Sequence, residues 1–178
     1  MKHTLIELLQ NYFPYAPEEQ ICKKQMLDFA KEYPDCFERS LAVGHFTGSA
    51  WLLNQDKTHV LFLHHTKLDK WLQLGGHCDG NPDVLAVAIK EAQEESGINR
   101  IVPISDEIFD IDIHAIPASS KNQEHYHYDV RFLLKVVGNE SIIQNHESKA
   151  LRWFDKERNE LPSQDRSIVR MFEKWLKS

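Results

Sequence analysis

A chain of 178 residues, 42% hydrophobic and 27% charged, is long enough for one domain with its own core and ordinary for a soluble globular protein. Its formal net charge of −6 argues against a nucleic-acid partner, which asks for a broad basic patch, but leaves open a nucleotide substrate whose charge a metal neutralises. Cys22, Cys36 and Cys78 cannot all pair and form no CxxC, the opening MKHTLIELLQNYF lacks the long apolar core of a signal peptide, and no stretch is long enough to cross a membrane, so a reducing cytoplasm is the expected location.

Residues 3–12 and 17–34 read as two helices around a Pro14–Pro17 turn, with stripes from Leu5, Leu8 and Leu9 and from Met26, Leu27 and Ala30. They form a helical extension, 1–40, ahead of the remainder, 41–178, of a single domain. The extension is expected to cover a sheet, form a homodimer surface or shape a substrate pocket. Strands over 42–54 and 59–65 flank a turn at Asn54–Lys57, and Trp71–Leu74 reads as a short strand.

Residues 75–98, GGHCDGNPDVLAVAIKEAQEESGI, carry the densest signal. Asn81 is a good N-cap, Pro82 suits the first helical position and Asp83 the positive end of the dipole. Leu85, Ala88, Ile89 and Ala92 recur at helical spacing toward a core, and Gly97 fits the left-handed residue that closes a helix. Glu91, Glu94 and Glu95 are related by i,i+3 and i,i+4 steps and share a face. Alone, such a run would be a solvated acidic face. With a Gly-Gly entry and a glycine stop, it reads as carboxylates gathered for a hard divalent cation, Mg²⁺ or Mn²⁺.

Further on, Ile108–Ile116 is a strand candidate with Asp110, Asp112 and His114 alternating to one face. His125–Val137 is the longest strand and aims His125, His127, Asp129 and Arg131 one way. Leu151–Phe154 is short and apolar. Ser163–Lys177 reads as a closing helix capped by Ser163, with Ile168, Met171, Phe172 and Trp175 inward. Single histidines are mostly surface or core residues, and the 125–129 run could be a solvated sheet face as readily as a site.

The glutamate segment resembles the Nudix box: glycine, five residues, Glu, seven residues, Arg-Glu, an apolar residue, any residue, Glu-Glu, any residue, glycine, apolar. Gly76 opens it, and Lys90, Glu91, Ala92, Glu94, Glu95, Gly97 and Ile98 fall in register. Pro82 stands at the early Glu and Lys90 at the Arg, the two positions that support the box as an ion pair. Losing both together strands no charge, and Asp79 or Asp83 becomes the expected partner of Lys90.

The resemblance implies an α/β fold, the Nudix α/β/α sandwich with a mixed sheet between helices, plus the N-terminal helical hairpin. It also implies a metal-dependent hydrolase that cleaves, with water, the diphosphate of a nucleoside diphosphate linked to another group. Mg²⁺ or Mn²⁺ would be held by Glu91, Glu94, Glu95 and the carbonyl of Gly75. The general base would be a box glutamate, Glu91 above all, or a later loop glutamate, at Glu147 here. Glu94 belongs with the catalytic group, and Arg131 could meet a phosphate or simply pair across the strand.

Isopentenyl-diphosphate isomerases share the fold, and their early strand is similar to His45-Phe46-Thr47-Gly48-Ser49-Ala50-Trp51, with a further histidine where His77 follows Gly76. That resemblance implies additional metal ligands among His45, His77, His127 and Asp129. Those enzymes, however, place an acid/base cysteine where this chain has Gly75, and their glutamate pair is degenerate where Glu94-Glu95 is complete. Hydrolysis therefore ranks above isomerisation, and Cys78 reads as a packing residue. A catalytically silent nucleotide-binding module is the third reading, kept open by Pro82 and Lys90.

Overall fold

In a computed structural model of the protein, described over residues 4–119, 123–146, 148–157 and 161–178, two helices precede a mixed sheet. Helix α1, Leu5–Asn11, begins with a reciprocal cap: the Thr4 hydroxyl accepts from the Glu7 amide at 3.3 Å and the Glu7 carboxylate accepts from the Thr4 amide at 2.7 Å. Helix α2, Pro17–Glu32, starts at a proline, and the Glu19 carboxylate accepts from the Tyr15 and Ala16 amides at 2.8 Å each.

The strands are β1 Gly44–Leu53, β2 His59–His65, β3 Trp71–Leu72, β4 Leu74–His77, β5 Ile101–Pro103, β6 Asp110–Ile116, β7 His125–Val136 and β8 Ser148–Asp155. β1 is the hub. It runs parallel to β7, in register from Gly44 opposite Tyr126 to Leu53 opposite Lys135, and antiparallel to β2 and β4. β7 in turn pairs antiparallel with β5 and β6, while β2 pairs with β3 and β8. All ten residues of β1 are buried, as expected of a strand covered on both faces.

Alternation along β1 sorts the two faces. Phe46, Ala50 and Leu52 join Val84, Val87 and Ala88 of α3, Val84–Ser96, in one apolar cluster that also takes in Leu5, Leu9, Met26 and Phe29 from the hairpin. Trp51 and Leu53 face the other way, into a second cluster with Ile168, Met171, Phe172 and Trp175 of α4, Arg166–Lys177. Gly48 lets α3 lie close to the strand, since a Cβ there would come within 2.7 Å of the Val84 carbonyl oxygen. The expected sandwich, with its helical pair in front, is the observed architecture. No helix among the described residues is long and apolar enough to cross a membrane.

The differences from the sequence reading are local. Asp83, not Asn81, caps α3, accepting from the Ala86 amide at 3.1 Å. The Asn81 side chain instead accepts from the Asp83 amide at 3.0 Å, and this tight turn leaves Pro82 outside the helix. Asp165 caps α4 in the same way, at 2.9 Å from the Ser167 amide, and Ser163 accepts from Asp165 instead. Gly97, at φ 73°, closes α3 as expected. β3 and β4 appear where one strand was expected, and β5 was not anticipated.

Candidate active site

Two groups of chemistry-bearing side chains are built around β1 and β4, and His77 belongs to the second while also lining the cavity of the first. The first is built on the α3 side. Gly76 pairs with Gly48 in the β4–β1 ladder, so its missing side chain would point at α3; a Cβ there would collide with the Glu91 carboxylate. The cradle therefore requires glycine for space, not for backbone conformation. Glu95, one turn on, is 8% exposed and accepts from the Gly75 amide at 2.9 Å. Glu91 and Glu95 thus meet the Gly-Gly strand along a cavity of about 490 Å³.

The far wall of this cavity is basic. Arg39, from the loop between α2 and β1, lines it together with Lys67, His65 and His146. Arg39 also makes a two-pronged ion pair with Asp79, which keeps the Asp79 carboxyl below the usual carboxylate range. Sequence reasoning missed Arg39 and Lys67. Nothing in a single basic residue forty positions from its partner marks it as part of a site.

The supporting pair of the box is rearranged. Lys90 donates to Glu91 at 3.2 Å and to its i+4 neighbour Glu94 at 3.1 Å. Neither Asp79, held by Arg39, nor Asp83, capping α3, partners it, contrary to expectation. Glu94 is exposed and is not among the described residues lining the cavity. Glu147 lies outside the described residues. A divalent cation fits what lines the cavity: the Glu91 and Glu95 carboxylates one turn apart on α3, the Gly75–Gly76 strand, and a glycine-shaped space against Glu91.

The second group is on the α4 side. One histidine comes from each of four adjacent strands: His114 on β6, His127 on β7, His45 on β1 and His77 on β4. His127 lies directly opposite both His45 and His114, and His77 opposite Thr47. The His45 ring centre is 5.1 Å from His77 and 4.8 Å from His127, and His77 is 5.0 Å from His127. His125 stacks on the same group, 5.2 Å from His45. Burial and neighbouring imidazoles push His45 down to about 4 and His127 down to about 3, so both rings are neutral at pH 7.

Asp129 and Arg131 continue this face but are fully occupied. Asp129 accepts from Thr47 at 2.9 Å, Ser49 at 2.7 Å, Gln73 at 3.2 Å and Arg131 at 2.7 Å. Burial opposes its charge, yet Arg131 and these donors hold the carboxyl below its ordinary value. The four donors fill both oxygens, which leaves Asp129 no lone pair for the metal it was expected to bind. Arg131 is 2% exposed and pairs with Asp110, Asp112 and Asp129, so it supports the sheet and does not reach a phosphate. Cys78 is buried and its thiol is pushed up to about 12, mainly by burial, in keeping with a packing role.

A family model described as NUDIX domain matches residues 45–175. Solved structures with the same fold include a NUDIX-family hydrolase from Clostridium perfringens, 28% identical at a TM-score of 0.54, covering 75% of this chain and 97% of that one. A C. elegans Ap4A hydrolase, 16% identical at 0.59, covers 74% of this chain and 95% of its own. A UDP-X diphosphatase, 14% identical at 0.54, covers 97% of this chain and 90% of its own, so that alignment reaches into the N-terminal hairpin. A comparison with curated proteins gave no match. The fold, the glutamate helix and the matched span define a pyrophosphate-bond hydrolase. The chain belongs to the Nudix hydrolase family.

Proposed function

We propose that the protein cleaves, with water, the diphosphate of a nucleoside diphosphate linked to another group. The observation that carries this reading is the cavity in which Gly75, Gly76, Glu91 and Glu95 face the cations Arg39 and Lys67. Carboxylates on one wall and fixed positive charge on the other suit a diphosphate bridged to a metal on one side and paired directly on the other. Solved neighbours described as a dihydroneopterin triphosphate pyrophosphohydrolase and a UDP-X diphosphatase support the same bond class.

Mg²⁺ or Mn²⁺, held by Glu91, Glu94, Glu95 and the Gly75 carbonyl, would neutralise diphosphate oxygens and lower the pKa of the attacking water. Glu95 accepts from the Gly75 amide and so ties α3 to the strand beside that carbonyl. Glu91 is the general base in this reading, because it lines the cavity beside Gly76. Glu147 is the rival base, and Glu147→Gln separates them: unchanged kcat leaves the role to Glu91, and a large loss moves it to the loop.

The deciding experiment follows formation of a nucleoside monophosphate and the second phosphate ester from a panel of nucleoside diphosphate derivatives with Mg²⁺ and with Mn²⁺, run in ¹⁸O-labelled water. Label in a phosphate product is expected; turnover without label would indicate isomerisation, and tight binding without turnover a silent module.

Two variants probe the walls of the cavity. Gly76→Ala should lower kcat at least about 10-fold by displacing Glu91, while the melting temperature moves little because β4 keeps ordinary backbone angles there. Full activity in this variant would mean that Glu91 need not sit where it does. Arg39→Ala should raise KM about 10-fold with a smaller effect on kcat, the loss of one charge-assisted contact; an unchanged KM would remove Arg39 from the site.

A further inference from the structure

A second cavity, of about 790 Å³, opens between α2 and the start of β7 and shares no lining residue with the one that holds the glutamates. Its wall is aromatic: Phe29 and Tyr33 come from α2, and Tyr126 and Tyr128, two residues apart on β7, share a face of that strand. Phe29 lies flat on Tyr128, ring centres 4.0 Å apart at 6°, and backs it against the core. Tyr126 and the adjoining Val43 stay 46% and 47% exposed. Gly44 lets the chain pass these rings, since a Cβ there would come within 2.5 Å of the Tyr126 carbonyl oxygen and 3.0 Å of the Tyr128 ring.

The charge of this cavity has one sign. Among the described residues no lysine, arginine or histidine lines it, whereas carboxylates enter from both sides: Asp28 and Glu32, one turn apart on α2, and Glu124 just ahead of β7. Lys24 offsets Asp28 at 2.7 Å, so the excess negative charge rests with Glu32 and Glu124. The tyrosine hydroxyls respond to it. Glu32 pushes the Tyr33 hydroxyl above its ordinary value, and burial raises that of Tyr128, with Tyr33, Tyr126 and Glu32 adding to the effect. Gln25, one turn before Asp28, and Gln123, next to Glu124, add amide oxygens on the same two walls. Ring faces and carboxylates attract the same kind of ligand, a cation.

We infer that this cavity is a binding site for a linear polyammonium ion, an alkyl chain with an ammonium group at each end. Carboxylates on two separate elements suit two charges, and the rings, with Ile113 and Val43, suit the methylenes that join them. A metal ion needs its oxygen ligands gathered at one point, and among the described residues these carboxylates form no such group. A diphosphate would be repelled by the charge that draws the amine. The site is therefore separate from the glutamate cavity in its ligand as well as in its residues.

The test is a calorimetric titration of the full-length protein with spermidine, a linear triamine, in excess Mg²⁺. An ionic strength of about 0.15 M screens diffuse attraction beyond about 8 Å. One equivalent is expected, with a Kd of about 1 mM or tighter. Glu32→Gln with Glu124→Gln should weaken binding at least about 10-fold, and Tyr126→Leu, which loses the ring face, about 3-fold. All three positions are exposed, so melting curves of these variants should match wild type. Asp106→Asn with Glu107→Gln removes the same two charges from an exposed loop elsewhere and should leave the affinity unchanged; an equal loss there would reduce the effect to overall charge and overturn the site. Glu91→Gln with Glu95→Gln should also change nothing, and a loss in that variant would place the amine in the glutamate cavity instead. Choline, with one quaternary charge and no N–H, should bind at least about 10-fold more weakly than spermidine; equal affinity would overturn the two-ended assignment. Absence of spermidine binding, or unchanged affinity in the Glu32/Glu124 variant, would overturn the inference outright. Because the readout is binding, a hydrolytically silent protein would leave it standing.

Discussion

Glu95→Gln is expected to lower kcat by about 100-fold or more, roughly 3 kcal/mol of transition-state stabilisation, with the fold retained. Glutamine keeps an oxygen to accept from the Gly75 amide, the contact that Glu95 makes at 2.9 Å, so the strand should stay in place. What disappears is the negative charge in a position 8% exposed, facing a cavity rich in cations. Circular dichroism and a melting curve close to wild type, alongside the lost turnover, are the expected result. Near-normal kcat under saturating Mg²⁺ would remove Glu95 from the metal set, and with it the main physical reason for the density of carboxylates on α3.

The second large effect is on stability. Asp110 is fully buried and is shared by three cations: Arg131 at 3.0 Å, Arg170 at 2.8 Å and Lys174 at 2.6 Å. Asp110→Ala would leave buried positive charge undercompensated, and breaking such a pair costs about 3–5 kcal/mol. For a chain of this size that lowers the melting temperature by roughly 10 °C.

The sign of its pH dependence follows from the carboxyl's position. Burial opposes the charge, but Arg170, Arg131 and Lys174 hold the folded carboxyl below its usual value. Its contribution is therefore complete above the unfolded value of about 3.9 and is lost as pH falls through the lower folded value. The gap between wild type and Asp110→Asn should be widest near neutrality and close in strong acid. A gap that is absent at pH 7, or that does not shrink in acid, would contradict this account.

Much of the fold could be read from the chain because its signals are local. The strands alternate, α3 has a glycine stop, and α4 shows its inward stripe of Ile168, Met171, Phe172 and Trp175, which the structure buries together. The box glutamates were legible for the same reason, since their spacing along one helix is their geometry. Helix starts were less so: Asn81 and Ser163 look like caps, yet each accepts from the aspartate two residues on, and that aspartate takes the cap. Long-range partners were not legible at all. Asp129 reads as a ligand until Thr47 and Ser49, some eighty residues earlier, are seen to fill its oxygens. Arg131 reads as a phosphate contact or a strand-face ion pair alike until β6 is placed beside it. The histidines fell between these cases: alternation put His125 and His127 on one face, but only the parallel register of β1 and β7 sets His45 against His127.

The same buried charges tie the two ends of the described chain together. Tyr12 and Lys174 both donate to the Glu19 carboxylate, and Lys174 donates onward to Asp110 at 2.6 Å, so a carboxylate with no exposed surface near the start is matched by an ammonium 155 residues later. During synthesis on a ribosome, the helical hairpin emerges well before the cation, 155 residues further on, that completes its interior. Until then Glu19 can stay solvated only if the hairpin remains undocked. Docking of the extension is thus expected to be a late event, timed by completion of α4, and a chain interrupted before residue 174 would hold the hairpin loose and open to proteases even where the sheet had formed.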